Sequence, residues 1–342
     1  MRALVTGGGG FVGAALCRRL RDLGHDVTAL GRRPYPALAA AGIRTVVHDL
    51  AVTGAATGLT GLLAGVECVF HTAAHVKMWG PREAFVRGNI GATESVIAAC
   101  RAAGVARLVF TSSPSVVAAG HDLRGIDESQ PSPSRSSALY PQTKAAAERA
   151  VLQAHGAGLR TIALRPHLIF GPGDTNLVPT ILERARAGRL VQVGDGTNLV
   201  DLTFIDDCVA AHVRAAVALE ENPGVGGRPY FISQGTPVPL WEWIGRVLAL
   251  HDMPPVRRRI PAAMARVLAT AAETVWWTLH LSSDPPLTRF LAEEMSTDHY
   301  FNINAARREL GYEPSCTVWE ATERSFGRAA GTRPTDPAPR TP

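Results

Sequence analysis

The sequence predicts an α/β protein: a doubly wound parallel sheet carrying a smaller, discontinuous C-terminal domain. Three observations predict it. Six short apolar runs alternate with helix-length segments through the first 170 or so residues, glycines 7, 10 and 13 directly follow the first run, and the rhythm breaks after Gly171. Alternation of this kind implies a parallel sheet with helices on both faces, wound by right-handed crossovers.

The runs are "RALVT", "DVTAL", "RTVVH", "ECVFH", "RLVFT" and "TIALR", each taken as one strand. Between the first two, Phe11, Ala14, Ala15, Leu16 and Leu20 recur at near-helical spacing, so a helix is expected from about Phe11 to Leu23. Gly24-His25-Asp26 ends it. Beyond Gly171, "GPGDTNLVP" reads as a loop and Ile181 to Ala187 as a helix. "LVQVGDGTNLVDLTFIDD" reads as strand, Asp-Gly turn, strand and entry to a helix near Asp206 that returns to the first domain. The expected division is residues 1–172 plus about 203–222 for a nucleotide-binding domain, and about 173–202 plus 223–328 for a substrate-binding domain. Residues 329–342 form a tail too poor in apolar residues to order.

At 342 residues and 46% hydrophobic content the chain can bury one large core or two smaller ones. Its net charge is +5, but the arginines are scattered apart from Arg257, Arg258 and Arg259, which argues against a nucleic-acid partner. Five cysteines, odd in number and far apart, offer neither a zinc pattern nor a redox pair. Reduced thiols and a cytoplasmic location are expected, with no metal. The chain starts on a strand-like run, so no signal peptide is expected, and no uncharged apolar run of about 18 residues suggests a membrane span.

"VTGGGGFVGAALC" sets Gly7, Gly10 and Gly13 between the first strand and the first helix, with Phe11 and Val12 opening that helix. Backbone amides and the helix dipole suit a pyrophosphate there, and glycine permits its close approach, as in a Rossmann dinucleotide site. Neither lysine is near these glycines, which excludes an ATP-binding Gly-Lys-Ser/Thr loop. The second strand runs into Gly31-Arg32-Arg33, where an NAD enzyme usually carries an acid for the ribose 2′-hydroxyl. Arg32 suits a 2′-phosphate instead, favouring NADP with NAD as the alternative. Asp49 and Leu50, after the third strand, are placed to border the adenine.

Of 35 lysines and arginines, two are lysines, Lys77 and Lys144. Lys144 follows Tyr140 by four residues in "YPQTK", and Pro141 suits the first turn of a helix, which places both side chains on one face. A compact ammonium acts as a point charge where guanidinium is a planar fork. A free phenol titrates near 10, so a neighbouring ammonium is expected to favour its phenolate and make Tyr140 a general acid/base. "LVFTSSPSVV" follows the fifth strand and offers Ser112, Ser113 and Ser115 as a further donor.

Taken together, T-G-x-x-G-x-x-G at Thr6 to Gly13, "FHTAA", Asn89 in "GNIGAT", the Ser113 loop, Tyr140-x-x-x-Lys144 and "RPHLIFGPGD" resemble the extended short-chain dehydrogenase/reductase superfamily. The resemblance spans about 320 residues. It implies Ser113 as donor to the substrate oxygen, Tyr140 as acid/base and Lys144 as its partner. It also brings the cofactor against Ala73, Ala74, Tyr140, Lys144, Pro166 and His167. "TSSPS" departs from the Thr-Asp-Glu of the dehydratase branch. "GDGTNLVDLTFIDD" and "YFISQGTPVPLWEW" are similar to the 3β-hydroxysteroid dehydrogenase group, including the sterol 4-carboxylate 3-dehydrogenases. "AAHVKMWG", "ETVWW" and "DPPLTRFLAEEM" look like the 2-alkyl-3-oxoalkanoate reductases of bacterial olefin biosynthesis, which are NADP-dependent.

The implied activity is NADP-dependent hydride transfer to the 3-keto group of a long-chain 2-alkyl-3-oxoalkanoate. A 3β-hydroxysteroid or sterol dehydrogenase is the alternative, and a non-catalytic NADP-binding sensor the alternative of another class. A β-keto acid needs a cation for its carboxylate, and Lys77, with His75 or His167 nearby, is the expected candidate. Met264, Val267, Leu268, Ala271, Val275 and Leu279 form one stripe of a helix near 260–281, next to Trp276 and Trp277. It reads as a packed cap over the substrate or as an interfacial helix in peripheral contact with a membrane. A homodimer through helices near 85–103 and 141–155 is expected, with other enzymes of the same pathway as possible partners.

Overall fold

The computed structural model describes residues 1–327 apart from 119, 134, 135, 137, 157 and 282, so the expected tail lies outside the described residues. All six apolar runs are strands of one parallel sheet: β1 (Arg2–Thr6), β2 (Asp26–Gly31), β3 (Arg44–Val47), β4 (Cys68–His71), β5 (Arg107–Thr111) and β6 (Arg160–Pro166). A seventh, β7 (Pro229–Ile232), pairs with β6 and completes the order β7-β6-β5-β4-β1-β2-β3. Nothing in the spacing of the first 170 residues announced β7, because it arrives after an excursion of more than fifty residues.

The central strands β1, β4, β5 and β6 are apolar along most of their length because each serves two cores. Leu4, Val69, Leu108, Phe110 and Ala163 point into one cluster; Val5, Phe70, Val109, Ile162 and Leu164 point into the other. Successive side chains of a strand face opposite ways, so adjacent residues part company between the two helical layers. α1 (Phe11–Asp22) buries Gly13, Leu16, Cys17 and Leu20, as its spacing predicts. α2 (Ala92–Ala103), α3 (Leu139–Gln153) and α4 (Ile205–Glu221) complete the layers, α4 beginning one residue before the predicted Asp206. All five cysteines are free.

Two expectations beyond Gly171 need correction. The Asp195-Gly196 segment does not close a hairpin: Gln192–Val193 pairs with Arg259–Ile260, and Leu199–Val200 with Val238–Pro239 and His299. Dipeptide turn chemistry is local, whereas the partners of these two-residue strands come from distant chain. The second correction concerns α5 (Ala262–Thr278), whose buried residues are Ala265, Ala269 and Glu273. Met264, Val267, Leu268 and Val275 are exposed instead, Val267 to 68%, so the apolar stripe faces outward and is not the packed face of a cap. Glu273 turns inward because its carboxylate takes both the backbone N–H (2.7 Å) and Nε (2.6 Å) of Arg289.

Candidate active site

The strand order reverses between β1 and β4, and ligands of open α/β sheets bind beyond the strand ends at such a point. Gly7 follows β1 there with φ +66°, a left-handed conformation that favours glycine. A β-carbon on Gly7 would lie 2.8 Å from the backbone of Ala73, which follows β4, and one on Gly13 would collide with the Gly7 carbonyl. These glycines thus leave a cradle lined by backbone at the start of α1, which fits the pyrophosphate of a dinucleotide. Ala73 is fixed from the other side, its N–H donating to Thr6 Oγ1 at 3.3 Å.

Arg32 and Arg33 are exposed beyond β2, and among the described residues neither has a carboxylate within ion-pair distance. Asp49 closes a turn by accepting from the Ala51 N–H at 2.9 Å, and Leu50 is buried beneath it. His75 stacks edge-on against Phe85. Burial lowers its imidazole below the ordinary value, with the charges of Lys77 and Arg32 adding to the fall. Exposed Lys77 therefore shares a positive region with Arg32.

At the other end of the cradle, α3 starts one residue before Tyr140 and carries Lys144 one turn on. Burial pushes the Tyr140 phenol up to about 12; a hydrogen bond with Ser113 works against that rise, and the charge of Glu294 adds to it. Lys144 is 2% exposed, and its Nζ donates to the Thr111 carbonyl at 2.6 Å, 4.1 Å from the centre of the Phe110 ring. Burial lowers the ammonium to about 7, the carboxylate of Glu148 opposing. Lys144 is not among the groups that shift the Tyr140 phenol here. In this state the lysine is turned to the end of β5, Ser113 is the neighbour that lowers the phenol, and desolvation outweighs it.

Ser113 caps a short turn, Pro114–Val117, and its Oγ accepts from Ser115 N–H at 3.2 Å and Ser115 Oγ at 3.0 Å. With both lone pairs engaged, its own proton is directed outward, toward Tyr140. Ser115 is thus a positioning residue, which composition could not single out among three serines. Ser112 Oγ is buried without a partner among the described residues. Of two more supports, Asn89 was legible as a motif residue without a role, and Glu148 escaped sequence reasoning. Asn89, in a π-helical turn over Val86–Gly91, accepts from His75 N–H at 2.7 Å and donates to Thr143 Oγ1 at 3.0 Å, tying the β4 loop to α3. Glu148 meets Arg165 of β6 through two buried hydrogen bonds of 2.6 and 2.9 Å.

Pro166 ends β6 and His167 follows, buried. His299 Nε2 lies 2.7 Å from the Glu294 carbonyl, which can only accept, so His299 Nδ1 is left to accept from His167 Nε2 at 2.7 Å. Burial, and then the charge of His299, hold the His167 imidazole well below its ordinary value. Among the described residues His167, Glu294 and His299 are the one group whose metal-binding atoms converge, but both nitrogens of His299 are occupied by these hydrogen bonds.

A cavity of about 550 Å³ is bounded by Trp79 and Phe85, by Leu139, the residue before Tyr140, and by Thr270 and Trp277 of α5. Its cations are Arg82 and Arg289; Lys77, expected to meet a substrate carboxylate, is absent from its walls. A phenol and a second hydroxyl with its proton turned toward it, at the sheet end that carries the glycine cradle, can together protonate a carbonyl oxygen while hydride arrives at carbon.

A family model described as the 3-beta hydroxysteroid dehydrogenase/isomerase family matches residues 4–260. A 2-alkyl-3-oxoalkanoate reductase of Stenotrophomonas maltophilia is 44% identical over 95% of this chain and 98% of its own length. The decarboxylating sterol-4-alpha-carboxylate 3-dehydrogenase of Mus musculus is 33% identical over 95% of this chain and 90% of its own. Among solved structures, MoeE5 in complex with UDP-glucose and NAD superposes with a TM-score of 0.73 at 26% identity, covering 95% of this chain and 97% of that one.

Proposed function

The chain belongs to the 3-beta hydroxysteroid dehydrogenase/isomerase family, an NAD(P)-dependent oxidoreductase family, and we propose that it uses NADPH to reduce the 3-keto group of a long-chain 2-alkyl-3-oxoalkanoate to the 3-hydroxy acid. The observation that carries this reading is the Tyr140 phenol hydrogen-bonded to Ser113, with Lys144 one turn further along α3. The 44% identity to a reductase of that name supports the substrate class over a sterol, whose dehydrogenase is 33% identical.

Gly7, Gly10, Gly13, Phe11 and Val12 hold the pyrophosphate, Arg32 the 2′-phosphate, and Asp49 and Leu50 border the adenine. Ala73, Ala74, Pro166 and His167 line the path to the reacting end. Bound there, the reduced nicotinamide supplies the hydride. Tyr140 gives its phenolic proton to the ketone oxygen, and Ser113 donates a second hydrogen bond to that oxygen as charge develops on it. A phenol held near 12 stays protonated at neutral pH, which suits the reductive direction. Lys144, buried and one turn away, stabilises the phenolate that remains. Arg82 takes over the part expected of Lys77 in meeting the carboxylate, because it borders the cavity while the other cation there, Arg289, is paired with Glu273.

The segments about 173–202 and 223–328, apart from β7, which belongs to the nucleotide-binding sheet, act as the substrate-binding part. The outward apolar stripe of α5, with Trp277 76% exposed and basic residues Arg257, Arg258 and Arg259 before it, makes peripheral membrane contact where a lipid-like substrate resides. No helix among the described residues is long and apolar enough to cross a membrane. The chain works as a homodimer, alongside enzymes that make and consume the acid.

The deciding experiment compares NADPH oxidation with a 2-alkyl-3-keto acid against NAD(P) reduction with a 3β-hydroxysteroid. Turnover of the steroid alone would overturn the substrate, and tight NADPH binding with neither turnover would favour a sensor. Tyr140→Phe should lower the keto-acid rate at least about a hundredfold while cofactor affinity stays within about twofold.

A further inference from the structure

Gly9 and Gly31 have no part in the glycine fingerprint, which Gly7, Gly10 and Gly13 fill. They lie on different elements, one in the loop after β1 and the other at the last residue of β2, yet one side chain covers both. A β-carbon on Gly9 would collide with the ring of Tyr35, and one on Gly31 would collide with its hydroxyl. Tyr35 stands between Pro34 and Pro36 at the start of a short helix, Pro36–Ala40, half-buried and packed against the larger apolar cluster. Among the described residues its hydroxyl has no hydrogen-bond partner.

The end of β2 is where a dinucleotide-binding sheet normally sets a carboxylate against the ribose 2′-hydroxyl. Here residue 31 has no side chain, and the phenol of Tyr35 occupies the place from which one would grow. An acceptor-only, negatively charged group is thereby replaced by a neutral O–H donor. A 2′-hydroxyl exchanges a charged acceptor for a neutral, weaker one, whereas a 2′-phosphate gains a donor and escapes like-charge repulsion. Arg32, next in the chain and exposed, supplies the charge.

We propose that Tyr35 is a specificity-determining residue for the cofactor: resting on Gly9 and Gly31, it holds its hydroxyl where it donates to the 2′-phosphate of NADP. This rests on the NADPH reading above. Calorimetric titration of wild type and Tyr35→Phe with NADP⁺, NAD⁺, 2′,5′-ADP and 5′-ADP tests it without substrate. Phenylalanine keeps the ring over both glycines, and an unchanged Tm verifies the fold. The expected result is a loss of about tenfold in affinity for NADP⁺ and 2′,5′-ADP, the size of one hydrogen bond to a charged group, with NAD⁺ and 5′-ADP within twofold of wild type. Equal losses for all four ligands, no loss, or tighter binding would overturn the role of Tyr35 while leaving NADP use intact. Wild type that prefers NAD⁺ would instead refute the cofactor reading, and this inference with it.

Discussion

Lys144 donates to the carbonyl oxygen of Thr111 at 2.6 Å, across the end of β5. Thr111 is itself secured from the opposite layer, its Oγ1 lying 2.7 Å from Nε2 of His212 on α4. The lysine is therefore sealed between helices, and burial lowers its ammonium to about 7.

That shift makes stability depend on pH. An unfolded lysine keeps its proton to about 10.4, so between about 7 and 10 the unfolded chain binds the extra proton and the folded state gains stability as pH rises. The slope is at most about 1.4 kcal/mol per pH unit for one group. Tyr140, raised to about 12, acts with the opposite sign between about 10 and 12, where the unfolded phenol ionises first. Urea denaturation of the ligand-free protein from pH 7 to 8 should therefore show rising stability, and Lys144→Met should flatten the rise; above about 8.5 the buried thiols of Cys17, Cys68, Cys100 and Cys208, all raised by burial, act with the opposite sign.

Ser113 and Ser115 separate donor from support. Ser113→Ala removes the hydroxyl beside Tyr140 and should lower kcat about a hundredfold. Ser115→Ala leaves that hydroxyl in place with one acceptor site unfilled, so a loss of about tenfold or less is expected. Steady-state kinetics over pH 6 to 9 would check both; equal losses would mean that the turn, not the donor, is what matters.

Gly7→Ala should abolish cofactor binding. The substitution strains a left-handed backbone and drives a methyl to within 2.8 Å of Ala73, which pushes the loop after β1 away from the one after β4 and distorts the cradle. Fluorescence titration with NADPH should show a loss of at least about a hundredfold, and a smaller effect on Tm than on affinity.

The outward stripe of α5 yields a prediction on lipid. Val267 is 68% exposed, so Val267→Glu should leave Tm within about 1 °C, the usual range for a surface change. Flotation with vesicles containing anionic lipid should carry wild type upward and leave the variant behind. Flotation of both would remove α5 as the contact.

The sequence by itself determined the sheet, the glycine cradle and the Tyr140, Lys144 and Ser113 set, because each is written in short-range pattern. Strand alternation, fingerprint spacing and a lysine spared in an arginine-rich chain all act within a few residues. The resemblance to reductases of this family was legible for the same reason, and the comparisons bore it out. What tertiary structure decided was partnership at long range. β7 joined the first sheet, Asp195-Gly196 closed no hairpin, α5 turned its apolar stripe outward, and Lys144 bonded to Thr111. Tyr35 covering Gly9 and Gly31 belongs to the same class. Burial and hydrogen-bond geometry depend on residues tens to hundreds of positions apart, and those distances close only when the chain folds.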